Sequence, residues 1–474
     1  MMKSFMGNGE MQKMTVKFIA MVIIISGLAF AAGPIGLNMQ QTVAVCAFMS
    51  CILGTLFFWE FRLSFAFAGA SALLLTRSID MKHFIDSASF DVILFLVGMM
   101  IVIGLLKETG FFAWIVMLIL QIRGLTARKF LIVVCVFSAL LACAIDEVTS
   151  IIFMVAAIFE ICDYFEVDPV PYLISSIITT NIGSAGTVLG NPIGILIAAK
   201  AGLTFEDFFL NAFPIMIAAL LATIFMFLIM YRKHLKKLDE HIKEFGDNEI
   251  LRRLISVPPD KQLRKALLLF AITLVFIALH HRLEQVFGLD PNSVLLIVPL
   301  VSASIVMTWK WKRARSYVEK DVEWWTLLFF IFLFAQAGAL KYTGATDIFA
   351  KHIAAWAGGN SHNLTGIILW LSAFGSSTLD NVVVVAASIP IVQSFLSIGA
   401  GNKLLWWALL FGGCFGGNIT LIGSTANIVA LGILEKEKRT RISFAYWLKI
   451  GLPIGVVTIS IVWLSLFLLS YLQR

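Results

Sequence analysis

The sequence predicts an all-α polytopic membrane protein of about 11 transmembrane helices plus two re-entrant hairpins, set in two inverted repeats with a broken helix in each. Three observations predict it. Composition is the first: 59% of residues are hydrophobic, 14% are charged and the mean hydropathy is +0.92, whereas a soluble domain carries roughly one quarter charged residues. Next, apolar runs long enough to cross a ~30 Å hydrocarbon core recur along the whole chain. Finally, two of the longest runs are interrupted near their centres, by TTNIGSAGTVLGNPIG from Thr179 to Gly194 and by GNITLIGSTAN from Gly417 to Asn427. Glycines, asparagines and Pro192 unwind a helix there. In hydrocarbon, freed backbone groups are tolerated only where they line a cavity inside the protein.

In chain order, apolar runs at 18–33, 41–58, 63–76 and 91–106 give the first four spans. Lys3, Lys13 and Lys17 precede a run ending in Ala29-Phe30-Ala31, the pattern of a signal peptide. The first helix of a multispanning protein fills the same role, so a retained span is expected. The run at 111–122 is short for a span, and the runs at 130–145 and 148–161 flank Asp146 with no loop between them. That pair reads as a hairpin at about 130–161 that enters and leaves on one face. A broken helix at about 171–200 and a span at 211–231 complete a first half, 1–231. The segment 232–265 then carries ten Lys and Arg against six acids and reads as a cytoplasmic basic linker. The second half, 266–474, repeats the order: runs at 266–279, 294–309 and 325–340, a short run at 345–357, a hairpin at about 364–398 around Asp380, a broken helix at about 403–434 and a last span at 446–471. With the N-terminus cytoplasmic, Lys310, Lys312, Arg313 and Lys436 fall on the cytoplasmic face and the C-terminus lies outside. The expected location is a prokaryotic inner membrane.

A fixed offset ties the halves together. Gly104, Lys107, Thr109 and Gly110 recur 234 positions later as Gly338, Lys341, Thr343 and Gly344, and Ser138 with Asp146 recurs as Ser372 with Asp380. The broken-helix loops follow at 233, Thr187 to Gly190 against Thr420 to Gly423. Such a repeat, inverted in the topology above, places a binding site at the repeat interface.

Acidic groups inside spans cost about 2.5 to 3.5 kcal/mol each on insertion scales and mark ion or proton paths. Asp146 and Glu147 stand in LLACAIDEVTSIIF, and Asp380 with Asn381 stands in GSSTLDNVVVVAA. With the Thr149 hydroxyl and the hairpin-tip carbonyls they suit a hard cation, so transported Na+ is expected near Asp146 and Asp380, with no structural metal; protonation would release it. Capping of the following helix by Asp146 and Asp380 is the competing role, and the two are compatible. The first broken loop offers Asn181, Gly183, Ser184, Thr187, Gly190 and Asn191, and the second offers Asn418, Thr420, Gly423, Ser424, Thr425 and Asn427. Helix N-termini there favour an anion and freed carbonyls a cation. For any single glycine, close helix packing is the simpler account.

Other chemistry is absent from the pattern. The net charge of +7 falls in short loops, where the positive-inside rule accounts for it, so no nucleic-acid partner is expected. The six cysteines lie in or beside apolar runs without Cys-x-x-Cys spacing and read as packing residues. No Walker A, dinucleotide or His-Glu-x-x-His motif occurs, so neither an enzyme nor a resident cofactor is expected.

The order of acidic hairpin tip, DPVPYLI, TNIGSAGTVLGNP, AGLTF-x-DF, LDNV, GGNITLIGSTAN and ISF-x-x-W-LK resembles the ion transporter superfamily. Within it the chain is most similar to the arsenite-permease and NhaD-type sodium/proton antiporter family, which holds P protein and is related to citrate and dicarboxylate transporters. The resemblance covers nearly the whole chain. It implies an elevator transporter, commonly a homodimer, whose moving part contains the hairpins and broken helices. One departure stands out: the usual GDPPN-like loop ending is here Gly190-Asn191-Pro192-Ile193-Gly194, while Asn427 keeps the corresponding asparagine in the second loop. The resemblance and the acidic tips together lead to an expectation of secondary active transport, by sodium/proton exchange or proton-coupled export of a small inorganic species such as arsenite, with H+ or Na+ as coupling ion. Acids at both tips disfavour a di-anion, which leaves sodium- or proton-coupled uptake of citrate, a dicarboxylate or another small anion as the alternative. A passive ion channel on the same fold is a second alternative.

Overall fold

The computed structural model describes residues 8–120, 126–245, 260–356, 361–438 and 440–472. Every regular element among them is helical. In chain order these are α1 Asn8–Ile35, α2 Met39–Phe57, α3 Arg62–Leu75, α4 Met81–Ser87, α5 Phe90–Glu108 and α6 Phe111–Leu120. Then come α7 Ala127–Ala144, α8 Glu147–Tyr164, α9 Val170–Ser184, α10 Pro192–Ala201, α11 Phe205–Met230 and α12 Arg232–Phe245. The second half supplies α13 Lys261–Ala278, α14 His280–Phe287, α15 Ser293–Trp309, the irregular α16 Trp311–Asp321, α17 Trp324–Tyr342 and α18 Ala345–Trp356. It ends with α19 Ser361–Thr378, α20 Asn381–Ser397, α21 Leu404–Gly416, α22 Thr425–Lys438 and α23 Phe444–Leu472.

Seven of the described helices are long and apolar enough to cross a membrane, and nine spans result if the bent pairs α13–α14 and α15–α16 each count as one. α3, with 14 residues, and the four halves of the broken helices are too short for that test taken singly. Both expected hairpins are present, α7–α8 and α19–α20, and both breaks fall where glycine and asparagine concentrate, between α9 and α10 and between α21 and α22. Of the basic linker, 232–245 forms the amphipathic α12, which buries Leu235 and Leu238 and exposes Arg232, Lys233, Lys236 and Lys237. The linker's residues 246–259, like Lys3 at the N-terminus, lie outside the described residues.

Two compact units share the chain. The first comprises Met1–Ile93, Glu323–Leu364 and Ala386–Asn402; the second comprises Leu94–Val322, Thr365–Val385 and Lys403–Arg474. Each therefore draws on both halves of the sequence, so the repeats 1–231 and 266–474 and the compact units divide the chain differently. The physical reason is that helices pack on whichever partner fills their apolar face, regardless of chain order.

The repeat shows itself in matched contacts within each unit. In the first unit, Gly338 of α17 faces Ser87 at the end of α4, and the Tyr342 hydroxyl donates to Asp80 Oδ2 at 3.0 Å. In the second unit, Gly104 of α5 faces the Asp321 carboxylate at the end of α16, and the Tyr317 hydroxyl donates to Glu108 Oε2. Gly104 with Gly338, Ser87 with Asp321 and Glu108 with Tyr342 are matched at the 234-residue offset, while Asp80 and Tyr317 are not: the short polar helix of each half clasps the long span of the other. A side chain at either glycine would hold the pair apart. All of the hairpin tips and broken-helix loops lie in the second unit, which thereby carries the site.

Candidate functional site

The two hairpin tips meet at equivalent positions. Glu147 opens α8 and Asn381 opens α20, each the first residue after its tip aspartate. The Asn381 amide donates from Nδ2 to Glu147 Oε1 at 3.0 Å and to Oε2 at 3.3 Å. Both side chains are sealed from solvent, Glu147 at 1% exposure and Asn381 at 0%. Asp380 sits beside them, 5% exposed, accepting from the Val382 backbone N–H at 3.0 Å and from the Thr425 hydroxyl at 2.5 Å. Asp146 accepts from the Thr149 backbone N–H at 2.8 Å and so caps α8, the role that competed with ion binding on sequence grounds. Among the described residues no ion pair involves Asp146, Glu147 or Asp380. Buried carboxylates without a cationic partner need a proton or a bound cation to offset their charge.

A second cluster centres on Asn181, near the end of α9. Its Nδ2 donates to Asn418 Oδ1 at 2.8 Å and to Asn427 Oδ1 at 2.9 Å, while its Oδ1 accepts from the Ser424 hydroxyl at 3.0 Å. Asn427 in turn donates to the Gly417 and Thr420 carbonyls at 2.8 and 2.9 Å, which pins the unwound second loop to the start of α22. Asn191 does the matching work in the first loop. It caps α10 through the Gly194 N–H at 2.7 Å and donates to Ser184 Oγ at 2.9 Å and Cys414 Sγ at 3.0 Å. The clusters join at the start of α22, where Ser424 just before it touches Asn181 and its first residue Thr425 touches Asp380.

The structure thus brings most of the polar candidates into two connected groups, and gives the rest a scaffolding role. The Thr187 hydroxyl donates to the Cys143 carbonyl at 2.5 Å and the Thr420 hydroxyl to the Ser377 carbonyl, again at matched positions, each tying a loop to the hairpin beside it. Gly183, Gly190 and Gly423 contribute closeness: a Cβ on any of them would run into neighbouring backbone. Sequence reasoning assigned Cys143 and Cys414 to packing, but Cys143 Sγ donates to the Gly183 carbonyl at 3.0 Å and Cys414 accepts from Asn191. Their signal was position, since Cys143 precedes Asp146 by three residues as Ser377 precedes Asp380.

Asn181 joins three side chains of the second loop, and its removal takes a hydrogen bond from each of three buried partners. Each costs about 1 to 3 kcal/mol when left unpaired. Asn181→Ala should therefore lower the apparent Tm of the detergent-solubilised protein by several degrees; an unchanged Tm would show that the cluster is not as dry as its burial indicates.

Comparison with known proteins follows the geometry. The family model described as a citrate transporter matches residues 55–412. An uncharacterized transporter of Mycobacterium tuberculosis is 31% identical over 420 residues, which is 86% of this chain and 94% of the relative. The P protein of Homo sapiens is 26% identical over 449 residues, covering 80% of this chain and 54% of its own. Among solved structures, the Alcanivorax borkumensis YdaH transporter aligns with a TM-score of 0.53 over 80% of this chain and 84% of that one, at 13% identity, a likeness of fold.

Proposed function

The chain belongs to the citrate transporter family and is an integral membrane transporter, and from that premise we propose that it is a secondary active, ion-coupled one in which the hairpin-tip carboxylates carry the coupling ion. The observation that carries this reading is the Glu147–Asn381 contact: a carboxylate 1% exposed, held by a neutral amide, with Asp380 alongside and no cation paired to either. That arrangement suits a group that exchanges H+ or Na+ during each cycle. Sodium/proton exchange, or proton-coupled export of a small inorganic species such as arsenite, uses it directly. In this reading the protein works as a homodimer in a prokaryotic inner membrane, N-terminus cytoplasmic and C-terminus outside, with no cofactor beyond the coupling ion.

A second reading, Na+- or H+-coupled transport of citrate or a dicarboxylate, draws on the family description and on one atom. Asn418 Nδ2 is buried in the amide cluster with no acceptor among the described residues, and a carboxylate oxygen of a cargo would satisfy it. Purified protein in vesicles with an internal pH dye separates the readings. Proton movement on adding sodium or lithium alone supports exchange; movement with arsenite or citrate only supports the corresponding permease. Solute flux indifferent to any ion gradient would replace both with a passive channel.

A further inference from the structure

Buried polar atoms that lack a partner cluster at one end of α9. Among the described residues Tyr172 Oη, Tyr231 Oη and His234 Nε2 have no hydrogen-bond partner, and one further along the same helix, Thr180 Oγ1, has none either. Tyr172 and Thr180 are 0% exposed. The rings of Tyr172 and His234 lie 5.5 Å apart, and His234 is on the basic helix α12. Burial without a partner is costly, and in protein interiors ordered water supplies what side chains do not.

The same helix carries more hydroxyls in register. Tyr172, Ser176, Thr180 and Ser184 recur every four residues, a spacing that stacks side chains along one flank of a helix about 6 Å apart. One water, through two hydrogen bonds of about 2.8 Å, spans that gap between the Ser and Thr hydroxyls, while the Tyr172 ring reaches toward His234 at the mouth. Thr180 is the informative member. A helical threonine ordinarily bonds back to the carbonyl four residues earlier, as Thr179 does to Ser175 at 2.8 Å, but Thr180 does not. Ser176 meets Ser138 hydroxyl to hydroxyl at 2.7 Å. At the far end the Ser184 hydroxyl donates to the Asn181 carbonyl at 3.0 Å and accepts from Asn191 at 2.9 Å, in the neighbourhood of the Glu147 carboxylate.

We propose that this column, entered at His234, is a water-bridged proton route between the basic end of α9 and Glu147. It rests on the proton-coupled reading above. A proton taken up on His234 Nε2 passes to a bridging water; each water or hydroxyl then accepts one proton on a lone pair and releases its own, and the last delivers one to Glu147. Only N–H and O–H bonds break and form, and rotation of the hydroxyls resets the column. Burial lowers the proton affinity of His234 and so favours release onward. Lys237 on its own helix adds to that and Asp168 before α9 opposes it. Among the described residues the other titratable groups around this end of the column are Tyr172, Tyr231, Tyr446, Cys135, Cys162 and Asp239.

The test uses the full-length protein in vesicles with the internal pH dye, under addition of sodium, lithium, arsenite and citrate. Tyr172→Phe and Thr180→Val keep shape and delete the hydroxyl. Each should slow proton movement about 10-fold or more while leaving the half-saturating solute concentration unchanged. Ser175→Ala is the control on the same helix, because its hydroxyl is already spent on the Pro171 carbonyl at 2.7 Å. His234→Gln, at the less buried mouth, should flatten the pH dependence of the rate and serves if the helix variants fold poorly. Variants indistinguishable from Ser175→Ala would overturn the route and leave proton coupling standing. Variants whose Tm and half-saturation move together with the rate would make the hydroxyls structural and also overturn it. A wild-type protein that moves no protons with any of the four solutes would overturn the proton-coupled reading and the route with it.

Discussion

Glu147→Gln is expected to abolish pH-dependent transport and to leave an inserted, folded protein. The glutamine side chain has the same shape, and its carbonyl oxygen can still accept from the Asn381 amide that lies 3.0 Å from Glu147 Oε1, so packing at the meeting of the hairpin tips is kept. What is lost is the member of that contact able to take up and give back a proton, since its partner is an amide. Asp380→Asn should behave in the same direction, because the Thr425 hydroxyl that donates to Asp380 at 2.5 Å can donate to an amide oxygen as well. The vesicle pH dye reads both, with size-exclusion profile and Tm as checks on folding. Full pH-dependent activity in Glu147→Gln would remove this carboxylate from the coupling mechanism.

The second large effect is on folding. In Gly183→Ala the new methyl group lands on the backbone of Ala139, and in Gly416→Ala on the backbone of Ala373, the same contact in each half. A flexible side chain could move aside, but helix backbone cannot without parting α9 from α7 and α21 from α19. Overpacking of this kind costs about 1 to 3 kcal/mol and sometimes more; both variants should lose most of their monodisperse, detergent-solubilised fraction. Gly432 provides the contrast. It lies within α22 with nothing within 4 Å of its would-be Cβ, so Gly432→Ala should raise stability by about 0.5 to 1 kcal/mol through helix propensity. A Gly416→Ala variant as stable as wild type, beside a damaged Gly183→Ala, would mean that the two halves are not packed alike.

Local features were legible in the sequence because each is set by a few neighbouring residues. Apolar runs fixed the helices, glycine and asparagine fixed the two breaks, and an aspartate without a flanking loop fixed each hairpin tip. The offset of 234 residues, read from scattered matches such as Gly104 with Gly338 and Asp146 with Asp380, announced two halves of one design. Transport followed from acids and unwound helices in a membrane chain.

Which residues touch across the halves was decided only by the tertiary structure. Nothing in periodicity says that Glu147 takes its hydrogen bonds from Asn381, its own counterpart in the other repeat, or that Asn181 binds Asn418, Asn427 and Ser424 at once. Nor does it say that Tyr342 reaches Asp80 while Tyr317 reaches Glu108. Such pairings join positions hundreds of residues apart, and in an apolar medium burial favours no one helix face over another. Close approach at glycines and the satisfaction of polar groups select the partner, and both depend on three-dimensional shape.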